Sequence, residues 1–548
     1  MNKEKCLGYS FLKNKSSELY GYAPAYEGGG TEEFFESLEV YRSYYCVEHG
    51  ADKSDFMGYC EKLEKEGFEK FSSKSAGENL FATYFDGENI VNVSFISYKD
   101  VDKYVTRDVS YVLISVDSVR NSSLPCKAEK FEKITDVTVS YVSILTVIVR
   151  LLDGRFLVID SGVMDDTEKI YDFLCKNNVR EGKPTVAAWM FSHAHGDHVG
   201  GFIGILKNHS DDVVVERVIH NFPGEELYMP NKNYMECIPN REGLYMTNRS
   251  NEIARLMKEN MRGGIFTIAH AGQTFEFPGV SVEVLQTSEN LYKKQMFDTN
   301  MSSVIYMLTM PAGKMLALGD AVDAAVKILR KIYSKNLACD IVVLAHHALN
   351  GGDYEMYYDT GAVGAIWTNY AEGIDERGLL NHYTNHFDAS LVKYNFIVSK
   401  EERIITLYEG MSREEFEHYS PVRDIKKRAY TPCYEKRRSP ANQLPLSILE
   451  EGFGDAPRYY GLGEETEKLF VDRDAKEFSV TVDGATAYEF EYYCNTLKRD
   501  GYRKSSDSNE NGKLFASYSD PMNEVTVEYE NNTLKIIAHK AGENVLVY

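Results

Sequence analysis

Apolar residues fall in dense runs through the middle of the chain and in thin alternation toward its two ends. The run "LTVIVRLLDGRFLVIDSG" (145–162) predicts two buried strands joined at the turn pair Asp153-Gly154 and ending at Asp160. "DDTEKIYDFLCKNNV" then starts acidic and places Ile170, Phe173 and Leu174 on one face, an amphipathic helix with a favourable dipole. "TVAAWMF" is another apolar strand, and a loop rich in histidine follows at its end. Further on, "SSVIYMLTMPAGKMLALGDA" (302–321) predicts two strands ending at Asp320, and "CDIVVLAHHALNGG" (339–352) a strand ending at His346-His347.

The thinner pattern occurs twice. "YCEKLEKEGFEKFSSKSAGENLFATYFD" (59–86) lies over "YCNTLKRDGYRKSSDSNENGKLFASYSD" (493–520) at a constant offset, with 11 of 28 positions identical. In each copy Tyr, Cys and Leu at helical spacing precede a glycine that can end a helix, and "LFATY" or "LFASY" and "VNVSF" or "VTVEY" then alternate as strands do. Tyr59, Leu63, Phe81 and Tyr84 are the kind of residue that builds a core. Each copy is expected to be a small α+β domain, over 1–125 (core about 20–120) and 453–548. Between 413 and 452 the chain is polar, carries four prolines and lacks apolar periodicity, so it reads as a linker. Its basic clusters, Lys426-Lys427-Arg428 and Lys436-Arg437-Arg438, fit a solvated linker better than a phosphate grip. The span 130–412 is left as one larger domain.

Composition narrows the classes. A net charge of −22 argues against coating nucleic acid or an anionic membrane as the main task, while leaving room for a local basic groove. No apolar run approaches the roughly 20 residues needed to cross a bilayer, and the first residues lack a signal-peptide core, so a soluble, cytoplasmic protein is expected. The 9 cysteines are scattered without a CxxC, which does not suggest a disulfide framework. The 39 tyrosines can supply stacking surface, although strand propensity accounts for many of them.

Candidate chemistry concentrates in "SHAHGDHVGG" (192–201), which holds three of the chain's 13 histidines. His193 and His195, two apart in extended chain, can turn toward one ion, while Asp197 and His198 follow around the bend toward a second. Imidazole and carboxylate suit borderline metals such as zinc. An ion so held lowers the pKa of bound water to about 7, which is hydrolase chemistry. His270, in "IAHAGQTF", precedes another pair of strands and reads as a surface or capping residue before a ligand.

The loop, preceded by a strand ending in "IDSG", resembles the signature of the metallo-β-lactamase fold over roughly residues 135–410. The "GD" at Gly319-Asp320, the His346-His347 pair, "NHYTNHF" (381–387) and "RIITLYEG" (403–410) resemble, in that order, the hydrolase-like domain of bacterial DNA-uptake competence proteins. The resemblance implies an α+β fold, an αββα four-layer sandwich flanked here by the two mutually similar small domains. It implies a dinuclear centre, with Asp320 bridging, His193 and His195 on the first ion, and Asp197, His198 and His346 on the second, with His347 as competing ligand. Asp160 would orient the histidine loop. Where relatives carry a third histidine this chain reads "DTNMSSV", so Asn300 or Asp298 is the substitute ligand. "HHALNGG" replaces "HHGS" and would change the pocket floor.

The implied activity is hydrolysis of a phosphodiester or related phosphoester, small or polymeric, with nucleic acid as one such substrate. Asp197 acts at the centre, and His386 donates a proton to the leaving oxygen or binds a nonbridging one. Zinc is the first choice of metal, two ions, with manganese and iron also compatible. Lactone, thioester or lactam hydrolysis uses the same centre, and a binding or scaffolding protein whose terminal repeats carry the function is the reading from another class. Those repeats would pack together as a clasp or bind a partner of their own.

Overall fold

The structure is a computed structural model. It describes residues 51–223 apart from 103, 104, 120, 121 and 144, then 241–260, 264–291, 299–348, 351–368 apart from 353, 394–398, 405–415 apart from 413, 467–472, 477–483, 502–510, 512–519 and 523–540, with the strands at 31–37 and 42–48 and some single positions. Beyond residue 415 the expected linker lies outside the described residues, as do His386 and Asp298. Two compact units are present: residues 1–98 with 109–425, and 99–108 with 426–548.

In the first unit, β1 (Thr31–Ser37), β2 (Arg42–Glu48), α1 (Lys53–Lys65), β3 (Glu69–Ala76), β4 (Asn79–Phe85), β5 (Asn89–Asp102) and β6 (Val105–Ser118) make a sheet of order β1-β2-β6-β5-β4-β3 with one helix. Asp52 caps α1 by accepting from the backbone N–H groups of Ser54 and Asp55, and Asp55 returns the bond to the Asp52 N–H. The helix buries Phe56, Tyr59, Cys60 and Leu63 against Tyr84, Val91, Val93, Val112, Ile114 and Val116. Gly67, in the left-handed region at φ +94°, follows its end.

The middle of the chain forms two more sheets. β7 (Thr138–Ser143), β8 (Thr146–Arg150), β9 (Phe156–Ile159), β10 (Thr185–Met190), β11 (Val214–Val215), β12 (Arg217–His220), β13 (Ile265–Ile268) and the returning β21 (Ile405–Tyr408) build one, ordered β13-β12-β10-β9-β8-β7-β21 with β11 beside β10. β14 (Thr274–Phe277), β15 (Val280–Gln286), β16 (Ile305–Met310), β17 (Gly313–Ala317), β18 (Ile341–Val343), β19 (Gly364–Trp367) and β20 (Tyr394–Ile397) follow one another in the other. Strand alternation decides what each residue meets. Leu157 and Ile159 lie between the two sheets with Val282, Val284 and Leu308, while Val158 belongs to the core under the helices. The helices are α2 (Thr167–Asn177), α3 (Gly196–Asn208), α4 (Arg241–Asn260), α5 (Asp323–Tyr333) and α6 (Tyr354–Thr360). The result is the expected mixed α+β sandwich with additional small domains. Among the described residues no helix is long and apolar enough to cross a membrane.

The N-terminal sheet has a second buried face. Ala76, Phe81, Ile96, Tyr111 and Leu113 point away from α1 and join the apolar cluster that contains Phe202 of α3 and Leu329 of α5. Phe81 stacks on Tyr333 at 6.3 Å between centroids, and the Asn79 amide donates to the Ile332 carbonyl. Polar groups fill the remainder: Gln273 donates to Asn92, and His270 lies between two carboxylates, Nε2 2.5 Å from Asp117 and Nδ1 2.9 Å from Glu289. Burial alone would keep His270 neutral, but Glu289 and Asp117 overcome it and raise its pKa to about 9. The histidine is thus an ionic tie between the sheet and the sandwich.

In the second unit, β22 (Glu467–Asp472), β23 (Glu477–Asp483), β24 (Arg503–Glu510), β25 (Lys513–Ser519), β26 (Asn523–Glu530) and β27 (Thr533–Lys540) are ordered β22-β23-β27-β26-β25-β24. Tyr493, Cys494, Leu497, Ala516, Tyr518, Leu534 and Ile536 form its core. A register irregularity falls between Lys504 and Ser506 on β24, and one falls between Lys70 and Ser72 on β3.

Candidate metal centre

β10 delivers the histidine loop at its carboxyl end, where α3 begins. His195 is the N-cap of α3, in extended conformation, and Asp197 sits in the first turn. The glycines of "HVGGFIG" let the helix lie against the chain at 161–167: a Cβ on Gly201 would meet the Ser161 carbonyl oxygen at 2.1 Å. That close approach lets the Ser161 hydroxyl donate to the His198 carbonyl at 2.8 Å.

Asp160, at the end of β9, organises the loop. Its carboxylate accepts from the Ser192 N–H and hydroxyl, both at 2.8 Å, and lies 2.9 Å from His198 Nδ1. The other nitrogen of His198, Nε2, faces Asp320 Oδ1 at 3.1 Å. Ser192 Oγ is 3.0 Å from His193 Nδ1, which turns His193 Nε2 toward His195 Nδ1 at 2.9 Å and Asp320 Oδ2 at 3.7 Å. Asp320 is buried in the loop after β17, its N–H donating to Ser303 Oγ.

The remaining donor comes from a strained turn. His346, His347 and Ala348 have φ of 48°, 55° and 61°, three successive non-glycine residues in the left-handed region. This conformation brings His347 Nε2 to 3.2 Å from Asp197 Oδ2 and 3.5 Å from Asp320 Oδ2.

Two groups able to hold a metal result: His193, His195 and Asp320, and Asp197, His198 and His347. Six of the expected site residues therefore converge. Of the two histidines offered for the second ion, His347 is the one that the left-handed turn directs to the two carboxylates. His346 Nε2 stands 3.8 Å from Asp320 and 3.4 Å from the Asn300 amide, and His346 joins neither group. Asp320, expected to bridge, stands with His193 and His195, and Asn300 lies beside His346 from the turn at Thr299–Ser302. His270 is committed to Asp117 and Glu289 and belongs to neither group.

Electrostatics agree with a cation site. Burial opposes ionisation of Asp320, yet His198 and His347 hold its carboxyl well below the usual range. Burial likewise opposes ionisation of Asp197, but the His347 hydrogen bond and the His198 charge bring it to about 2. Burial would lower His347, but Asp320 and Asp197 raise it to about 9. Protons on imidazoles thus supply the positive charge these carboxylates require. His198 Nε2 and Asp320 Oδ1 are buried and face each other at 3.1 Å without hydrogen-bond geometry, a cost that a cation between them removes. The donor set of histidine nitrogens and carboxylate oxygens fits zinc-type ions.

Residues 141–277 match the family model described as the metallo-beta-lactamase superfamily. The chain carries a metallo-β-lactamase superfamily domain. That superfamily's fold is hydrolase-like and generally metal-dependent. No curated protein matches the sequence significantly. Among solved structures, a mutant metallo-β-lactamase from Cronobacter sakazakii is similar at 14% identity, covering 39% of this chain and 79% of that one, with a TM-score of 0.24. Zn(2+)-bound PqqB from Methylobacterium extorquens matches at 12% identity over 36% and 59%, with a TM-score of 0.25. MEM-A1, a subclass B3 metallo-β-lactamase from a soil metagenome library, matches at 16% identity over 40% and 81%, with a TM-score of 0.24. Similarity of this order carries no argument about activity.

Residue patterns gave no signal for several supporting groups. Ser192, Thr299 and Ser303 are ordinary loop residues in sequence, and Asp117 and Glu289 meet His270 only through long-range packing. For Ser192, adjacency to the first histidine was the one available hint.

Proposed function

We propose that the central domain is a dinuclear metal-dependent hydrolase acting on a phosphodiester or a related phosphoester. The observation that carries the reading is the pair of donor groups meeting at Asp320, whose two oxygens face histidines of both groups. His193, His195 and Asp320 would hold one ion, and Asp197, His198 and His347 the other, with Asp320 between them. When bound, the two ions supply a water acidified to near neutrality and neutralise charge on the attacked group. The protein's own contribution is orientation: Asp160 fixes His198, Ser192 lies against His193, and the strained turn holds His347. The phosphoester choice rests on the order of the Asp320 and His346-His347 segments, which resembles that of the competence-protein domain.

Hydrolysis of bis-p-nitrophenyl phosphate by protein loaded with zinc or manganese tests this reading, with Asp197→Ala as control. Metal-dependent turnover lost in the control is expected. Protein shown to bind two ions but inert toward the phosphodiester would move lactone or thioester substrates to the front.

The terminal sheets are proposed to be two copies of one module. The shared strand order and the irregularities at Lys70/Ser72 and Lys504/Ser506, at the sequence offset of the repeat, support this. The N-terminal copy acts as a clasp, a wall of the hydrolase unit. Its removal is expected to leave insoluble protein, because Phe202 and Leu329 would lose their cover.

A further inference from the structure

The 3-10 turn Thr299–Ser302, just before β16, places a hydroxyl beside His195 of the first donor group. Thr299 is 2% exposed, and its Oγ1 lies 2.9 Å from His195 Nε2. The opposite ring nitrogen, His195 Nδ1, is the one that meets His193 Nε2 at 2.9 Å. A side chain held at both ring nitrogens has its tautomer decided by the two partners. The turn is itself fixed, since the Ser302 hydroxyl donates to the Thr299 carbonyl at 2.7 Å and the Ser303 N–H to the Asn300 carbonyl at 3.1 Å.

We propose that Thr299 is the positioning residue of the first ion site: its hydroxyl oxygen accepts a hydrogen bond from His195 Nε2–H, which leaves the Nδ1 lone pair directed at the ion. The inference deepens the metal-centre reading and rests on it. Its chemistry is that of an outer partner to a ligating imidazole, which fixes ring orientation and raises ligand basicity. Serine, which keeps the hydroxyl, should serve in its place; valine, which keeps the shape, should not.

The test uses full-length protein stripped by chelator and titrated with zinc against a competing chelator, and with cobalt to follow the visible band of the bound ion. Thr299→Val and Thr299→Ala are expected to weaken zinc binding at one site by about 10–100-fold and to shift the cobalt band, as loss of such partners does. Thr299→Ser is expected to restore wild-type affinity and spectrum. Wild-type affinity in both hydroxyl-free variants overturns the proposal. So does a serine variant as weak as the valine one, which would assign the effect to packing. Wild-type protein that binds no zinc or cobalt would instead overturn the metal-centre reading beneath it.

Discussion

The two six-stranded sheets share a strand order, yet one is built into the core of the sandwich and the other has a half-exposed second face. Side chains at equivalent places account for the difference. Phe81 and Ile96 on β4 and β5 stand at the repeat offset from Phe515 and Glu530. The residues paired with the first, fifth and seventh positions of the second strand are Asp117, Leu113 and Tyr111 in one sheet and His539, Lys535 and Thr533 in the other. Apolar groups let the first sheet close against α3 and α5. On the second sheet charged groups pair among themselves, His539 with Glu524 and Lys513 with Glu530. One backbone topology therefore carries an apolar second face in one copy and a more polar one in the other, according to a few residues.

Both tryptophans, Trp189 and Trp367, are buried in the sandwich, so their fluorescence follows the hydrolase unit during urea unfolding. Giving the first sheet the residue of the second should produce the largest effect: Leu113→Lys, at a site 3% exposed, is expected to cost about 3–5 kcal/mol or prevent soluble expression. The reciprocal Lys535→Leu should leave that transition where it is. Phe81→Ala is expected to cost about 3–4 kcal/mol through a cavity beside Tyr333. Phe515→Ala, on the half-exposed face, should leave the tryptophan transition unmoved, and an equal shift would show that the second sheet is also a wall.

The ionic tie predicts a smaller, pH-dependent difference. His270 has its pKa raised from 6.5 to about 9, so the folded form binds its proton more tightly than the unfolded chain. Its stabilisation is complete below about pH 6.5 and is lost as pH rises through about 9, a change on the order of 3 kcal/mol. His270→Gln should flatten the dependence of the urea midpoint between pH 6 and 10. The smallest effect belongs to His539→Gln, where an exposed pair with Glu524 contributes about 0.5 kcal/mol or less. A pH dependence that survives in His270→Gln would place the titrating group elsewhere.

Much of the framework was legible because it follows periodic patterns. The β8–β9 hairpin at Asp153-Gly154, the helix at 167–177 and the strands ending near Asp320 and His346 lie where the apolar runs placed them. The histidine loop was legible because its donors are close in sequence. Choosing between His346 and His347 was not, since adjacent residues are separated only by backbone conformation, and three left-handed φ angles in a row have no sequence signature here. Asn300 was chosen by substitution for an expected histidine, and its amide lies 3.4 Å from His346 Nε2.

The sequence by itself determined the local elements, the metal-type donor set and the offset that relates the two ends, because these depend on spacing along the chain. Tertiary structure alone decided which imidazole reaches the carboxylates, that Thr299 stands behind His195, and that His270 joins two carboxylates 153 and 19 residues away. Those contacts depend on the packing of distant segments, where a shift of an ångström makes or breaks a hydrogen bond, and no periodicity encodes them.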